Sequence, residues 1–182
     1  MSWRKWFGME TKTEKLRDRT PRTMQVGDAV SWGEENFVVE QRVEYRGDGG
    51  DLWWDYLLVN PKEKYWLGVV EDEGLELTMY RQIPFYPEMP PDDVLTYQEE
   101  RFHRTEYGFA DAAIKKREGL THAGRVEYWD YESESAKQLC IERWGVNEIK
   151  TVQTEMTGTI RSYVGDIIKE YQITIFPAEL EA

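Results

Sequence analysis

The sequence predicts an all-β protein of two related antiparallel units of about five strands each, packed with pseudo-two-fold symmetry, with one short helix in the second unit. Three observations predict it. Turn-forming clusters recur about every 8–12 residues, as all-β domains show. The runs between them are aromatic or β-branched, with the two-residue period of a strand. Finally, Trp54-Asp55-Tyr56 in the first half returns as Trp129-Asp130-Tyr131 in the second.

The elements follow in order. Asp28–Trp32 is a short apolar run closed by Gly33-Glu34-Glu35-Asn36. Phe37–Arg46 places Val39, Gln41, Val43 and Tyr45 on one face and ends at the turn Gly47-Asp48-Gly49-Gly50. Leu52–Val59 is dense in aromatic and β-branched residues and stops before Pro61, which cannot continue a ladder. Tyr65–Val70 and Leu75–Arg81, joined around Asp72-Glu73-Gly74, complete five strands. A proline-rich linker at 84–91 follows, and the pattern restarts with Val94–Tyr97 and Arg101–Tyr107. Phe109–Arg117, with its alanines and Ile114, reads as the short helix.

The repeat extends beyond the tripeptide. Tyr65–Glu71 aligns with Ala136–Glu142, which places Cys140 against Val69, and Met79–Phe85 aligns with Glu170–Pro177. This is an internal duplication of residues 24–87 and 92–177. The chain divides into a basic tail at 1–22, a first β unit at 23–87 and a second at 88–182, the two units forming one compact body. The stretch Asn147–Lys169 fits the repeat poorly.

Composition bounds the function. With 182 residues, 40% hydrophobic and 14% aromatic including 8 Trp and 11 Tyr, the chain can build a core without disulfides or metal. The net charge is −12, but residues 1–22 carry seven basic groups against three acidic ones, leaving −16 on the rest. An acidic body repels phosphate backbones, so no nucleic-acid partner is expected. Cys140 is the single cysteine, so zinc-type spacings and an intramolecular disulfide are absent. No run reaches the length of a membrane span or a secretory signal, and a cytoplasmic protein is expected.

A family resemblance rests on these same residues. Val26-Gly27-Asp28-Ala29-Val30-Ser31-Trp32-Gly33, Asn36-Phe37-Val38-Val39-Glu40, Trp53-Trp54-Asp55-Tyr56-Leu57-Leu58-Val59 and Tyr65-Trp66-Leu67 resemble a bacterial family called domain of unknown function 4178. Tyr128-Trp129-Asp130-Tyr131 and Ile141-Glu142-Arg143-Trp144-Gly145 resemble its second-half motifs. The resemblance covers about residues 24–177, carries over no catalytic residue, and implies a setting among membrane-stress and membrane-remodelling genes.

The candidate chemistry is sparse. Asp55 and Asp130 lie at the centres of the repeated tripeptides, so symmetry would let them face each other as a carboxylate pair suited to acid/base work or metal binding. The competing reading has each capping a turn or pairing with Arg143 or Arg81. Cys140 with His103 or His122 is a nucleophile–base candidate, against a small buried residue between Leu139 and Ile141. No calcium-loop spacing occurs in the acidic clusters, and neither a metal nor a cofactor is expected. The tryptophans read as core rather than as a sugar platform. Trp3, Trp6 and Phe7 would share a helical face with Arg4 and Lys5 beside it, suited to an anionic membrane surface or a partner's groove, with docking on the chain's own body as the third option.

Taken together, the sequence predicts a non-catalytic interaction or scaffold module of a bacterial cytoplasmic protein. A protein partner is expected, as is peripheral contact with the inner face of the membrane through residues 1–22. The alternative is a small metal-dependent or hydrolase-like enzyme using Asp55 and Asp130.

Overall fold

The computed structural model describes residues 19–117, 119–145 and 158–178; the side chains of residues 120–123 are outside that description. Eleven strands occur in the order β1 (Ala29–Trp32), β2 (Glu35–Gly47), β3 (Leu52–Val59), β4 (Lys64–Glu71), β5 (Leu75–Ile83), β6 (Val94–Tyr97), β7 (Glu100–Lys116), β8 (Gly119–Ser133), β9 (Lys137–Trp144), β10 (Thr159–Ile168) and β11 (Ile173–Phe176). Among the described residues the only helical element is a 3-10 turn at Glu170–Gln172.

The strands form one sheet in the order β11-β1-β2-β3-β4-β5-β10-β9-β8-β7-β6. An added β2–β7 pairing, from Gln41↔Lys116 to Gly47↔Ala110, closes the middle of that sheet into an eight-stranded antiparallel barrel. The N-terminal ends of β2 and β7 run past the closure, and β1 with β11, and β6, pair onto these overhangs.

Two β-bulges let each long strand serve two layers. Residues directly opposite in an antiparallel pair share a face. Before the bulge Val39 pairs with Leu58, and after it Gln41 pairs with Leu57, so the strand changes face around Glu40. Val39 therefore packs with Phe37, Trp54, Tyr56, Leu58, Leu67 and Val69 in a core outside the barrel wall, while Val43 and Tyr45 face the lumen. In β7 a bulge between Arg104 and Glu106 does the same. Phe102 joins Leu95, Trp129, Tyr131, Leu139 and Ile141 in a second outer core, and Ala110, Ala112 and Ile114 face inward. The shared face expected for Val39, Gln41, Val43 and Tyr45 is thus split by the bulge.

The outer cores carry the apolar burial. Trp129, Tyr131, Leu139, Ile141, Tyr56, Leu58, Leu67 and Val69 are each at most 1% exposed, and burial on this scale contributes roughly 1.5–3 kcal/mol per large side chain. The hydroxyls of Tyr56 and Tyr131 reach main-chain acceptors on the chain leading into each overhang, donating to the Arg22 and Asp92 carbonyls at 3.0 Å.

Three sequence expectations are corrected. Phe109–Arg117 is not a helix: it forms the second half of β7 and its end, paired on both sides, with Ala110, Ala112 and Ile114 buried at a period of two. Ala112 lies directly opposite Tyr45, and a small side chain there makes room for the phenol ring. Met79–Phe85 and Glu170–Pro177 take different places in the sheet: β5 lies between β4 and β10, the latter inside the poorly fitting stretch, while β11 pairs with β1 at the far end. Cys140 and Val69 do not take matching places: Asp55 pairs with Gly68, one residue before Val69, whereas Asp130 pairs with Cys140 itself. A one-residue slip turns every side chain to the opposite face. Val69 and Ile141 belong to the outer cores, and Cys140 to the lumen.

Candidate functional site

The ladders determine what fills the lumen. On β3 the inward positions are Trp53, Asp55 and Leu57, opposite Val70, Gly68 and Trp66 of β4. These continue to Glu76, Thr78 and Tyr80 of β5. From the other side, Glu106, Asp130, Cys140 and Tyr163 follow one another across β7, β8, β9 and β10, with Glu142 opposite Tyr128. The alternation that sends Trp54 and Tyr56, or Trp129 and Tyr131, to an outer core therefore sends Asp55 and Asp130 inward.

One end of the lumen is packed. Val43, Ala110, Ala112, Ile114, Val126 and Trp144 are buried together there, with Trp53, Trp66 and Tyr128 against them. Toward the other end lies a cavity of about 430 Å³. It is bounded by Tyr45, Trp53, Asp55, Thr78, Tyr80, Tyr128, Asp130, Cys140 and Glu142, with Asp51, Glu71, Asp72, Glu76 and Glu106 toward the exposed rim. Eight of its lining residues are Asp or Glu, and among the described residues no Lys, Arg or His lines it. Tyr45 and Trp53 stack at 5.2 Å with planes 8° apart, and Tyr128 meets Trp53 edge-on at 5.3 Å. An eight-stranded barrel is just wide enough to be filled by side chains or to hold one small ligand, and the unfilled end matches the second case.

Three acids lie deepest. Glu142 is 5% exposed and accepts hydrogen bonds from the Tyr45 hydroxyl at 3.0 Å and the Trp144 indole at 2.8 Å. Its carboxyl is raised by burial, with these donors and Arg161 opposing. Asp55 lies well above the usual carboxylate range because of burial, the neighbouring Glu142 and the charge of Asp130, with a side-chain hydrogen bond to Tyr45 opposing. Asp130 is pushed up to about 7, chiefly by burial and then by Glu106, Glu142 and Glu76, with the Cys140 thiol pulling the other way. Among the described residues no ion pair within 4 Å reaches any of the three.

The sequence candidates sort accordingly. Asp55 and Asp130 line one cavity. Neither caps a turn nor pairs with an arginine: Arg143 is bonded to Glu127, and Arg81 to Tyr65 and Glu63. Cys140 lines the same cavity, but burial, Asp130 and Glu142 push its thiol well up, the reverse of an activated nucleophile. His103 is exposed on β7 and does not line the cavity, and the His122 side chain lies outside the described residues. Among the described residues no group of three or more His, Cys, Asp or Glu is placed to hold a metal ion.

Trp3, Arg4, Lys5, Trp6 and Phe7 lie outside the described residues. The end of the basic segment is described and sits on the body. Arg19 pairs at 3.3 Å with Asp28, which is 1% exposed and also accepts from the main chain of Gln25 and Ala178. Arg22 pairs with Glu71 and stacks over Trp54 at 5.5 Å. Glu142, Tyr45, Tyr80 and Glu106 are cavity residues that sequence reasoning missed. For Glu142 a signal existed: Leu139 and Ile141 alternate with Gln138, Cys140 and Glu142, so one face of that strand is polar.

Fold and site together define an antiparallel β-barrel with an acidic, aromatic cup at one end and two apolar cores outside its wall. Comparison with family models matches residues 25–157 to the family described as domain of unknown function (DUF4178), and the chain belongs to that family. The match includes Asp55, Asp130 and Glu142. Comparisons with curated proteins and with solved structures gave no match. Among the described residues no helix is long and apolar enough to cross a membrane.

Proposed function

We propose that this chain is a non-catalytic interaction module of the bacterial cytoplasm. Its barrel receives a ligand or partner group in the acidic cup, and the segment before residue 19 docks it on an anionic membrane surface or on a protein partner. The observation that carries the binding role is the unfilled, acid-lined lumen, which holds no activated nucleophile among its described side chains. Carboxyl groups withdrawn from water with no ion-pair partner within 4 Å work against folding, and such features persist where they serve a site. Two tail charges, Arg19 and Arg22, are already engaged with Asp28 and Glu71, so docking falls to the residues before them.

Co-sedimentation with anionic liposomes at low and physiological salt tests the tail, with a variant lacking residues 1–18 as the control. That boundary keeps Arg19 and Arg22 on the body. Pelleting of the full chain alone, weakened by salt, supports membrane docking; both proteins staying in solution removes lipid from the proposal.

A second reading has one favouring observation. Asp55 and Asp130 share a cavity with their carboxyl groups raised, as an acid/base pair requires. Turnover of any ester or glycoside that is lost in both Asp55→Asn and Asp130→Asn would favour this enzyme over the module.

We also infer that the two halves arose by duplication. Strands β1–β5 and β6–β10 occur in mirrored order in the sheet. Each long strand bulges shortly after a buried Phe, Phe37 or Phe102. The repeated Trp-Asp-Tyr presents its aromatics and its acid to matching layers.

A further inference from the structure

We propose that the cup binds a small organic cation, a molecule carrying its positive charge on an amine or quaternary nitrogen. This rests on the binding-module reading and names the ligand class. The cavity supplies the space: about 430 Å³ lies within the range of small-molecule sites. Its lining supplies the sign: among the described residues eight acids face it and no base lines it, with Arg161 acting on Glu142 from across the β9–β10 ladder.

The aromatic walls point to an organic cation rather than a metal. Trp53 and Tyr128 line the cavity half-buried, with buried Tyr45 stacked behind Trp53; aromatic rings of this kind attract ammonium groups once water is displaced. Metal ions need several oxygen or nitrogen donors converging at short range, and among the described residues no such group of three is present. Asp55 and Asp130 are half-buried with no ion-pair partner among the described residues, and an ammonium group would supply the counter-charge that a neutral ligand lacks. The layout also gives direction. Asp51, Asp72 and Glu76 are exposed at the rim, and Asp55, Asp130 and Glu142 lie deeper, so the field draws a cation inward.

The test is calorimetric titration of the full chain at pH 8 with benzylamine, butylamine and tetramethylammonium, beside benzyl alcohol and benzoate. Asp55→Asn and Asp130→Asn are near-isosteric and remove one lumen carboxyl group each. Asp111→Asn removes one outside the cavity, where Asp111 pairs with Arg125 at 3.1 Å. The expected result is saturable binding of at least one cation, with no binding of benzoate. Affinity should fall about tenfold or more in each lumen variant, equivalent to ~1.4 kcal/mol, and hold in Asp111→Asn. Benzyl alcohol binding as tightly as benzylamine would overturn the cation while leaving the cup a binding site. Binding of none of the probes would overturn both readings. Equal weakening in Asp111→Asn and the lumen variants would reduce the effect to net charge and also overturn the proposal.

Discussion

The outer cores and the lumen are built from the same strands and differ in almost every physical respect. Trp54, Tyr56, Trp129 and Tyr131 point outward into cores that the overhanging ends of β2 and β7 cover. One residue along, Asp55 and Asp130 point inward to a cavity that stays open. The outer cores are apolar, and the hydroxyls of Tyr56 and Tyr131 are satisfied by main-chain carbonyls. The lumen holds three raised carboxyl groups. One tripeptide thus divides its work by alternation: its aromatics hold the fold and its acid supplies a site that the fold must carry against its own stability.

That contrast can be broken at several points. The largest effect is expected in an outer core. Trp129 is 1% exposed, and Trp129→Ala should cost about 3–5 kcal/mol, read as a lowered urea midpoint. A loss below 1 kcal/mol would mean that the outer core is not where the stability lies. The lumen should respond with the opposite sign: Asp130→Asn should stabilise the protein at pH 8 by about 2 kcal/mol in the same assay. Smallest is the contact at the tail boundary. Arg22→Met keeps the stem over Trp54 but removes the charge that pairs with exposed Glu71, and should cost about 0.5 kcal/mol or less, diminishing with salt.

Much of the fold was legible because alternation is local. Leu52–Val59 was bounded from the sequence as the structure has it, and the opposed faces of Trp54 and Asp55 followed from the strand period. The barrel closure was not legible. It depends on Gln41–Gly47 meeting Ala110–Lys116, far apart in sequence, and on bulges that carry no composition signal. The alanines that suggested a helix at Phe109–Arg117 serve close packing inside the barrel, where Ala112 faces Tyr45; tertiary context overrode propensity. For the site, sequence symmetry singled out Asp55 and Asp130, but placing them in one cavity required the closure. Aligning Cys140 with Val69 concealed its lumen position, because a single-residue slip exchanges the faces.

The central claim is that the lumen acids are held against the stability of the fold, and the pH dependence of stability tests it most directly. In the unfolded chain Asp130 loses its proton near its ordinary value; in the folded protein it keeps the proton to about 7. Between these values the folded state binds more protons, so Asp130 lowers stability as pH rises through that window, and its effect levels off above pH 7. Asp55, raised for the same reason, acts in the same direction. Urea unfolding of the native chain and of Asp130→Asn at pH 5.5 and pH 8 isolates this contribution from the other titrating groups. The account predicts that Asp130→Asn gains stability relative to the native chain at pH 8, with the gain shrinking at pH 5.5. An Asp130→Asn chain less stable than the native one at pH 8, or a difference that does not change with pH, would contradict it.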